Sequence, residues 1–279
     1  MRAFLTIADL TLREAVRRKF VWAGLLVAGL FVVGAYIPIH PRRSMMFPDI
    51  DPNDLIAALM ASRGSSAIAF FALLFSIALA AGSISGELER GVLSVIVSKP
   101  VARTSVYLGK WLGVNLFVIP FVVGWTAVLQ WSIAKHCGHI LPGLWRADIA
   151  LALYPAIFSA LTLAISAITS TMMATVLPMV IASIAWSEGM LKFFGHLFDV
   201  ATLRTLANVV VYAAPLNPLS RFVDRLLDQP VLERIDLAIR FWERPDPPAG
   251  PIDAAWIAAY GLAALIVGAF IFGKRDLAS

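Results

Sequence analysis

The sequence contains little charge and almost no cysteine. Of its 279 residues, 15% are charged and 59% are hydrophobic, whereas soluble globular domains usually carry about 25% charged residues. This deficit excludes a large soluble domain. The single cysteine, Cys137, excludes an intrachain disulfide and a metal site built from several thiolates. The net charge of +5 is compatible with nucleic-acid binding, but basic residues in a membrane protein usually mark its cytoplasmic loops.

Long apolar segments are abundant. About 20 apolar helical residues cross a bilayer core of about 30 Å, and these segments lack the two-residue alternation of membrane β-strands. Six are predicted to be transmembrane helices: about 20–37, 66–85, 106–134, 149–169, 172–187 and 254–272. We therefore expect an all-α integral membrane protein in which residues 1–279 form a single transmembrane domain.

The stretch 193–213 is also apolar but is not predicted to span the membrane alone. Its ten Leu, Ile, Val or Phe residues contribute about −3 to −6 kcal/mol to insertion, whereas Asp199 and Arg204 near its centre cost about +5 to +7 kcal/mol.

The distribution of basic residues predicts the orientation. Residues 1–19, 86–110 and 273–279 together carry eleven Lys or Arg and five Asp or Glu. Because Lys and Arg are enriched in cytoplasmic loops, we expect both termini to be cytoplasmic. The segments predicted to be external are 38–65, 135–148 and 188–253.

Regions outside the predicted spans show helical amphipathicity. In residues 2–19 one face is polar, which predicts a helix lying in the cytoplasmic membrane interface. That face carries Thr6, Asp9, Arg13 and Arg17. Region 188–253 contains two further patterns, each of which predicts an external amphipathic helix. Their apolar residues are Leu219, Phe222, Val223 and Leu226 in the first helix, and Val231, Ile235, Ala238 and Trp242 in the second.

The predicted cytoplasmic loop between the second and third spans holds the most informative pattern. Gly86 is expected to break the second helix. Two carboxylates, an apolar segment and a turn follow, at Glu87, Glu89, 92–97 and Lys99–Pro100. A short amphipathic element with charges at both ends suits docking onto another protein. On composition alone the favoured alternative is a solvated connection whose basic side chains reach the lipid surface.

This segment closely resembles the cytoplasmic loop of ABC-2 type transporter permeases. Their pattern runs G-E-x-E-x-G-T-L, several apolar residues, S-x-P-V-S-R, and a G-K at the start of the third helix. The matching residues are Gly86, Glu87, Glu89, Gly91, Leu93, Ser98, Pro100, Val101, Arg103, Gly109 and Lys110. Val92 replaces the usual Thr and Ala102 the usual Ser, and neither change removes a charge. The YAAPLN stretch at 212–217 and the tail at 272–277 are also similar to that family.

The resemblance implies the permease subunit of an ATP-driven exporter in a prokaryotic plasma (inner) membrane. It also implies a separate ATP-binding subunit that holds ATP and Mg²⁺, and a second copy of this chain or a related permease. Residues 86–105 would be the coupling loop that sits in a cleft of the ATPase. The residues so implied are Gly86, Glu87, Glu89, Gly91, Leu93, Pro100, Arg103 and Lys110. The rival hypothesis is a complex that transmits ATPase-driven motion to an external partner through 188–253 without moving a solute.

The chain itself is expected neither to bind ATP nor to act as an enzyme. Gly86 and Gly91 have the spacing of a phosphate-binding loop, but Val92 and Leu93 stand where that loop needs Lys and Ser or Thr. No nucleophile with a neighbouring base can be identified, and no paired acids lie on one face of a span.

Other polar residues have mainly structural interpretations. His136, Cys137 and His139 form the one cluster with metal-ligand chemistry, but it lacks a fourth ligand nearby, so we expect no metal. Glu188 and Lys192 are spaced for a local ion pair. A further set is expected to join helices by hydrogen bonds, with the lining of a polar cavity as the alternative. It consists of Asn115, Gln130, Thr162, Ser166 and Ser183.

The predicted topology can be tested by cysteine labelling. In a Cys137→Ser background, Ser94→Cys should be protected from a membrane-impermeant thiol reagent in intact cells and labelled in inverted vesicles, because 86–105 is expected to face the cytoplasm. Asp49→Cys, in a predicted external segment, is the control with the opposite pattern. Labelling of Ser94→Cys from outside intact cells would contradict the six-helix arrangement.

Overall fold

The computed structural model describes residues 2–17, 49–89, 102–138, 140–229 and 249–274, together with Trp22, Leu25, Leu26, Gly29 and Val231. These residues form ten α-helices and no strand, which confirms the predicted all-α class. The helices are α1 Arg2–Arg17, α2 Pro52–Glu89, α3 Arg103–Cys137, α4 Pro142–Leu151, α5 Leu153–Ser166, α6 Thr171–Trp186, α7 Glu188–Leu197, α8 Ala201–Val210, α9 Leu216–Leu227 and α10 Pro251–Lys274.

Five of the described stretches are long and apolar enough to cross a membrane, and they correspond to the second to sixth predicted spans. They are Pro52–Glu87, Arg103–Cys137, Pro142–Ser166, Thr171–Leu197 and Pro251–Lys274. The predicted first span, about 20–37, lies outside the described residues except for four isolated positions.

The two longest helices, α2 and α3, run antiparallel. Lys110 near the start of α3 contacts Glu87 near the end of α2, and Leu129 near the other end of α3 packs against Gly64. We name the two ends of the bundle from α2. The Glu89 end is where α2 ends and α3 begins, and the Pro52 end is the opposite one.

Helix α2 extends beyond the predicted second span on both sides. It begins at Pro52, inside the predicted loop 38–65, because Asp51 caps its first turn. The Asp51 carbonyl accepts a hydrogen bond from the Leu55 N–H at 3.0 Å, and its Oδ1 accepts one from the Asn53 N–H at 2.7 Å. The predicted break at Gly86 is wrong, since α2 continues to Glu89 and Gly86 is buried. Small residues at helix contacts let packed membrane helices approach closely.

Pro155 divides the fourth predicted span into two helices. Helix α4 ends at Leu151 and α5 begins at Leu153. The break is expected there because proline has no N–H to donate to the carbonyl four residues earlier, which is that of Leu151. The combined crossing, Pro142–Ser166, begins seven residues before the predicted 149–169. Pro120 and Pro178 lie inside α3 and α6, which continue past them.

The fifth span is longer than the predicted 172–187, because α7 prolongs α6 after a joint at Ser187. The charges that set the predicted boundary neutralise each other: Lys192 Nζ lies 2.7 Å from Glu188 Oε1, which confirms the predicted ion pair. Glu188 is buried, whereas the apolar Met190 and Leu197 are exposed. Such a helix, polar inward and apolar outward, is suited to lipid contact.

The stretch 193–213 turns back on itself, which agrees with the prediction that it does not span alone. Helices α7 and α8 pack as a hairpin whose turn contains Asp199 in the left-handed conformation (φ 51°). With ten residues, α8 is about 15 Å long, too short to cross a bilayer. Asp199 Oδ1 accepts a hydrogen bond from Arg204 Nη2 at 2.9 Å, so these two charges pair with each other.

The predicted N-terminal amphipathic helix is confirmed as α1, and its buried face packs on α3. Gly109 and Gly113 of α3 lie against α1: a Cβ on Gly113 would come within 2.6 Å of Thr11 Cβ and 2.7 Å of the Ala8 carbonyl oxygen. This small-x-x-x-small spacing allows the close approach. The predicted polar stripe, which includes Asp9 and Arg13, faces away from α3 and is exposed.

The first amphipathic helix predicted in region 188–253 is confirmed as a helix, α9. In α9 the apolar Leu219, Val223 and Leu227 are buried. Its polar side is tied to the start of α10 by an ion pair of 2.6 Å between Arg221 Nη2 and Asp253 Oδ1. The second predicted helix, over 231–242, lies outside the described residues except for Val231.

The close contact between α1 and α3 predicts that a methyl group added at Gly113 destabilises the protein more than one added at Gly124. Gly113→Ala should lower the stability of the detergent-solubilised protein by about 1–3 kcal/mol, because overpacking forces backbone or side chains to move. Gly124→Ala, also in α3, is the control, since a Cβ there meets no heavy atom within 4 Å. Thermal unfolding and tryptic cleavage of α1 report the effect. A Gly113→Ala protein as stable as Gly124→Ala would show that the contact is not tight.

Candidate functional site

Five helix termini meet at the Glu89 end of the bundle. The ends of α2, α5 and α10 lie here, together with the starts of α3 and α6. Hydrogen bonds between these termini involve α2 with each of α3, α5 and α6, and α3 with α10. Residues 90–101 connect Glu89 to Ala102 in the sequence, and both of these flanking residues lie at this end of the bundle.

A buried lysine joins α2 to α3. Lys110 is only 3% exposed. Its Nζ donates to Glu87 Oε1 at 2.6 Å and to the Ser83 carbonyl oxygen at 2.6 Å. A buried ammonium is strongly unfavourable unless it is paired and hydrogen-bonded. The position of Lys110 therefore fixes the register of the two helices beside the connecting segment.

Glu89, the last residue of α2, caps the N-terminus of α6. Its Oε1 accepts hydrogen bonds from the backbone N–H of Thr171 at 3.1 Å and from Thr171 Oγ1 at 3.3 Å. Thr171 is the first residue of α6. A carboxylate at a helix N-terminus is favourable because the first N–H groups are unpaired and the helix dipole is positive there.

A chain of hydroxyl groups continues this contact into the bundle. Ser85 Oγ lies 2.9 Å from Thr171 Oγ1, and the Ser85 N–H donates to Ser166 Oγ at 3.0 Å. Ser166 Oγ in turn donates to the Ala81 carbonyl oxygen at 2.7 Å. Ser85 and Ser166 are buried, whereas Thr171 is partly buried and Glu89 is exposed. The hydroxyl chain therefore leads from the surface at Glu89 into the interior between α2 and α5.

The last span is attached to the same end through Arg103. Its Nη1 donates to the Gly273 carbonyl oxygen at 3.3 Å, near the end of α10. A cation next to the unpaired carbonyls of a helix C-terminus is favourable because the helix dipole is negative at that end.

The structure gives several of the expected coupling residues contacts inside the chain. Gly86 lies within α2, and Glu87, Glu89, Arg103 and Lys110 all contact other helices of this chain. Glu87 and Glu89 were expected to contact the ATPase, yet each holds a partner inside the chain. Gly91, Leu93 and Pro100 lie outside the described residues. Sequence patterns missed Thr171, Ser85 and Gly273, because their partners are more than 80 residues away and nothing in the local sequence indicates them.

The polar residues expected to join helices divide into two groups. Ser166 does so, and Asn115 Nδ2 donates to Ser159 Oγ of α5 at 3.0 Å. Thr162 and Ser183 instead bond to carbonyls of their own helices. The Gln130 side-chain amide pairs with the backbone of Leu141: its nitrogen donates to the Leu141 carbonyl at 3.1 Å and its oxygen accepts from the Leu141 N–H at 2.7 Å.

The histidine and cysteine cluster gains no ligands in the structure. One ring nitrogen of His136, Nδ1, lies 2.8 Å from the Ser132 carbonyl oxygen. His139 lies outside the described residues, and within the described ones no three His, Cys, Asp or Glu residues are grouped as metal ligands.

The buried Lys110 pair predicts a large effect of breaking it. Lys110→Met should destabilise the protein by about 3 kcal/mol, at the low end for a broken buried pair, because the Glu87 side chain keeps 20% of its exposure. Glu87→Gln combined with Lys110→Met should recover part of that loss. Arg13→Met breaks the exposed pair with Asp9 and should cost less than about 1 kcal/mol. Thermal unfolding in detergent measures all three, and equal effects of Lys110→Met and Arg13→Met would contradict the burial argument.

Comparison with known proteins identifies the family of the chain. A family model described as an ABC-2 family transporter protein matches residues 5–277. No curated protein matches the chain. The matched range includes α1, all five described spans and the helix termini around Glu89. The chain therefore belongs to the ABC-2 family of transporter proteins.

Proposed function

We propose that this chain is the permease subunit of an ATP-driven exporter and that a separate ATP-binding subunit docks at the Glu89 end. The observation that carries the proposal is the convergence of five helix termini at the end of the bundle where segment 90–101 joins α2 to α3. Three of the termini are linked to α2, whose last residue, Glu89, directly precedes that segment. A force applied to the segment would therefore reach several spans at once.

The division of labour follows from the residues present. Val92 and Leu93 occupy the positions at which a phosphate-binding loop needs Lys and Ser or Thr, so ATP and Mg²⁺ belong on the partner subunit. This chain supplies the membrane pathway. Lys110 and Glu87 hold α2 and α3 in register, so closure of the ATPase around segment 90–101 would displace these two helices together.

The orientation and assembly complete the proposal. The excess of Lys and Arg in 1–19, 86–110 and 273–279 favours a cytoplasmic Glu89 end and cytoplasmic termini in the plasma (inner) membrane. The complete pathway would form between two permease subunits, either two copies of this chain or this chain and a related one, each with an ATPase subunit.

A second candidate function is mechanical transmission to an external partner. It is favoured by the attachment of α10 at both of its ends. Arg103 bonds to Gly273 at the Glu89 end, and Asp253 pairs with Arg221 of α9 at the Pro52 end. Motion of α10 would reach α9 directly. Vesicle transport assays and capture of an external protein by the region 188–253 distinguish the two functions.

The proposed docking can be tested with Gly91→Val and His136→Ala. The purified chain alone should neither bind nor hydrolyse ATP. The chain co-expressed with its ATP-binding subunit should co-purify with that subunit as an active ATPase. Gly91→Val should insert normally but lose at least tenfold in ATPase co-purification or activity, because a β-branched side chain prevents close backbone approach in the coupling segment.

His136→Ala, at the Pro52 end, is the control and should resemble the unmodified chain. Nucleotide binding to the isolated chain, or normal assembly and activity of Gly91→Val, would contradict the proposed docking.

A further inference from the structure

Among the described membrane crossings, α10 is the least buried in the bundle, and α6 with its extension α7 is the second least buried. Of its most apolar window 28% is buried, against 67% for α2. It contacts mainly α2 and α5 and leaves a broad apolar surface exposed. Residues on that surface are Met172, Met173, Val176, Val180, Ile184 and Met190. Because the packing of helices is what restrains their motion, α6 has fewer restraints along its length than α2.

Within the described residues, the hydrogen bonds that join α6 to other helices lie at its first residue. Thr171 donates its backbone N–H and its hydroxyl to Glu89 Oε1, and its hydroxyl also lies within hydrogen-bond distance of Ser85 Oγ. Both partners belong to the last five residues of α2. Near the other end, the stack of Phe70 on Trp186, with ring centroids 5.4 Å apart, again involves α2.

The helix can transmit displacement along its length. The Ser187 joint keeps helical hydrogen bonds on both sides, from the Ser187 N–H to the Ser183 carbonyl at 3.0 Å and from the Leu191 N–H to the Ser187 carbonyl at 2.9 Å. From Thr171 to Leu197 the helix is 27 residues, or about 40 Å. A small tilt at Thr171 therefore becomes a larger displacement at α7.

We propose that Glu89 is a positioning residue that links the coupling segment to α6, and that α6–α7 is the span that moves when the ATPase closes. This inference rests on the proposed function and adds a third helix to the two that flank the segment. Glu89 is the residue that directly precedes segment 90–101 and also bonds to the start of another span. The carboxylate acts on the N-terminal dipole of α6 as well as through hydrogen bonds, so its displacement shifts or releases α6.

The experiment measures nucleotide-dependent motion of α7 in the complete complex. Spin labels are placed at Met190→Cys in α7 and Ile252→Cys in α10, both exposed, in a Cys137→Ser background. Distances are recorded by electron paramagnetic resonance with and without ATP and vanadate, in the complex with the ATP-binding subunit. We expect a nucleotide-dependent shift of the distance distribution.

Variants at the contact separate a coupling role from a merely structural one. Glu89→Ala should lose most of the shift. Thr171→Val removes the hydroxyl but keeps the backbone N–H bond to Glu89, so it should lose a smaller part of the shift, while its ATPase co-purification and thermal stability stay close to those of the unmodified complex. Glu89→Gln and Thr171→Ser keep hydrogen-bonding atoms and should retain part of the shift. Ser183→Ala is the matched control on the same helix, because its hydroxyl bonds to the Met179 carbonyl of α6 itself.

The outcomes are distinguishable. A full shift in Glu89→Ala, or no shift in the unmodified complex that hydrolyses ATP, would overturn the inference and leave the proposed function standing. Failure of any ATP-binding subunit to associate with the unmodified chain would overturn the proposed function and this inference with it.

Discussion

The hydrocarbon core of the bilayer leaves no water to solvate polar groups, so each of them must find a partner within the protein. This requirement explains why the described backbone is helical and why charges near the spans occur in pairs. Lys110 is paired with Glu87, Lys192 with Glu188, and Arg221 with Asp253. Each pair joins two helices or extends a span beyond the point at which single charges would end it.

The pairs and caps are not spread evenly through the bundle. At the Glu89 end they connect α2 to α3, α5 and α6, and they connect α3 to α10. At the Pro52 end Arg221 and Asp253 connect α9 to α10. Between the two ends, single hydrogen bonds such as that of Asn115 to Ser159 also join helices, but most of the packing there is by apolar side chains and small residues. Polar bonds are directional, whereas apolar contacts tolerate sliding, so this distribution suits a molecule whose helices move relative to one another while their ends remain attached.

Two sequence-based helix boundaries are wrong for one reason, which is that the charges near them are paired within the protein. Gly86, with Glu87 and Glu89 after it, looks like the start of a solvated loop, yet α2 continues through all three because Lys110 and Thr171 partner the carboxylates. Glu188 and Lys192 look like the end of the fifth span, yet they neutralise each other and the helix continues to Leu197. In both cases the free energy of a charge depends on a partner, and for Glu87 and Glu89 that partner lies far away in the sequence.

The class of protein, the amphipathic helices α1 and α9, and the family were predictable from the sequence. So were the five described spans, whose ends lie within one to fourteen residues of the predicted ones. These depend on composition, periodicity and a short motif, which are local properties. Which partners the polar residues near the spans bond to depends on the tertiary structure. Thr171 and Gly273 carry no local signal, and they matter because folding brings their unpaired backbone groups to Glu89 and Arg103. Partners separated by 80 or more residues are selected by the packing of whole helices, which a local pattern does not contain.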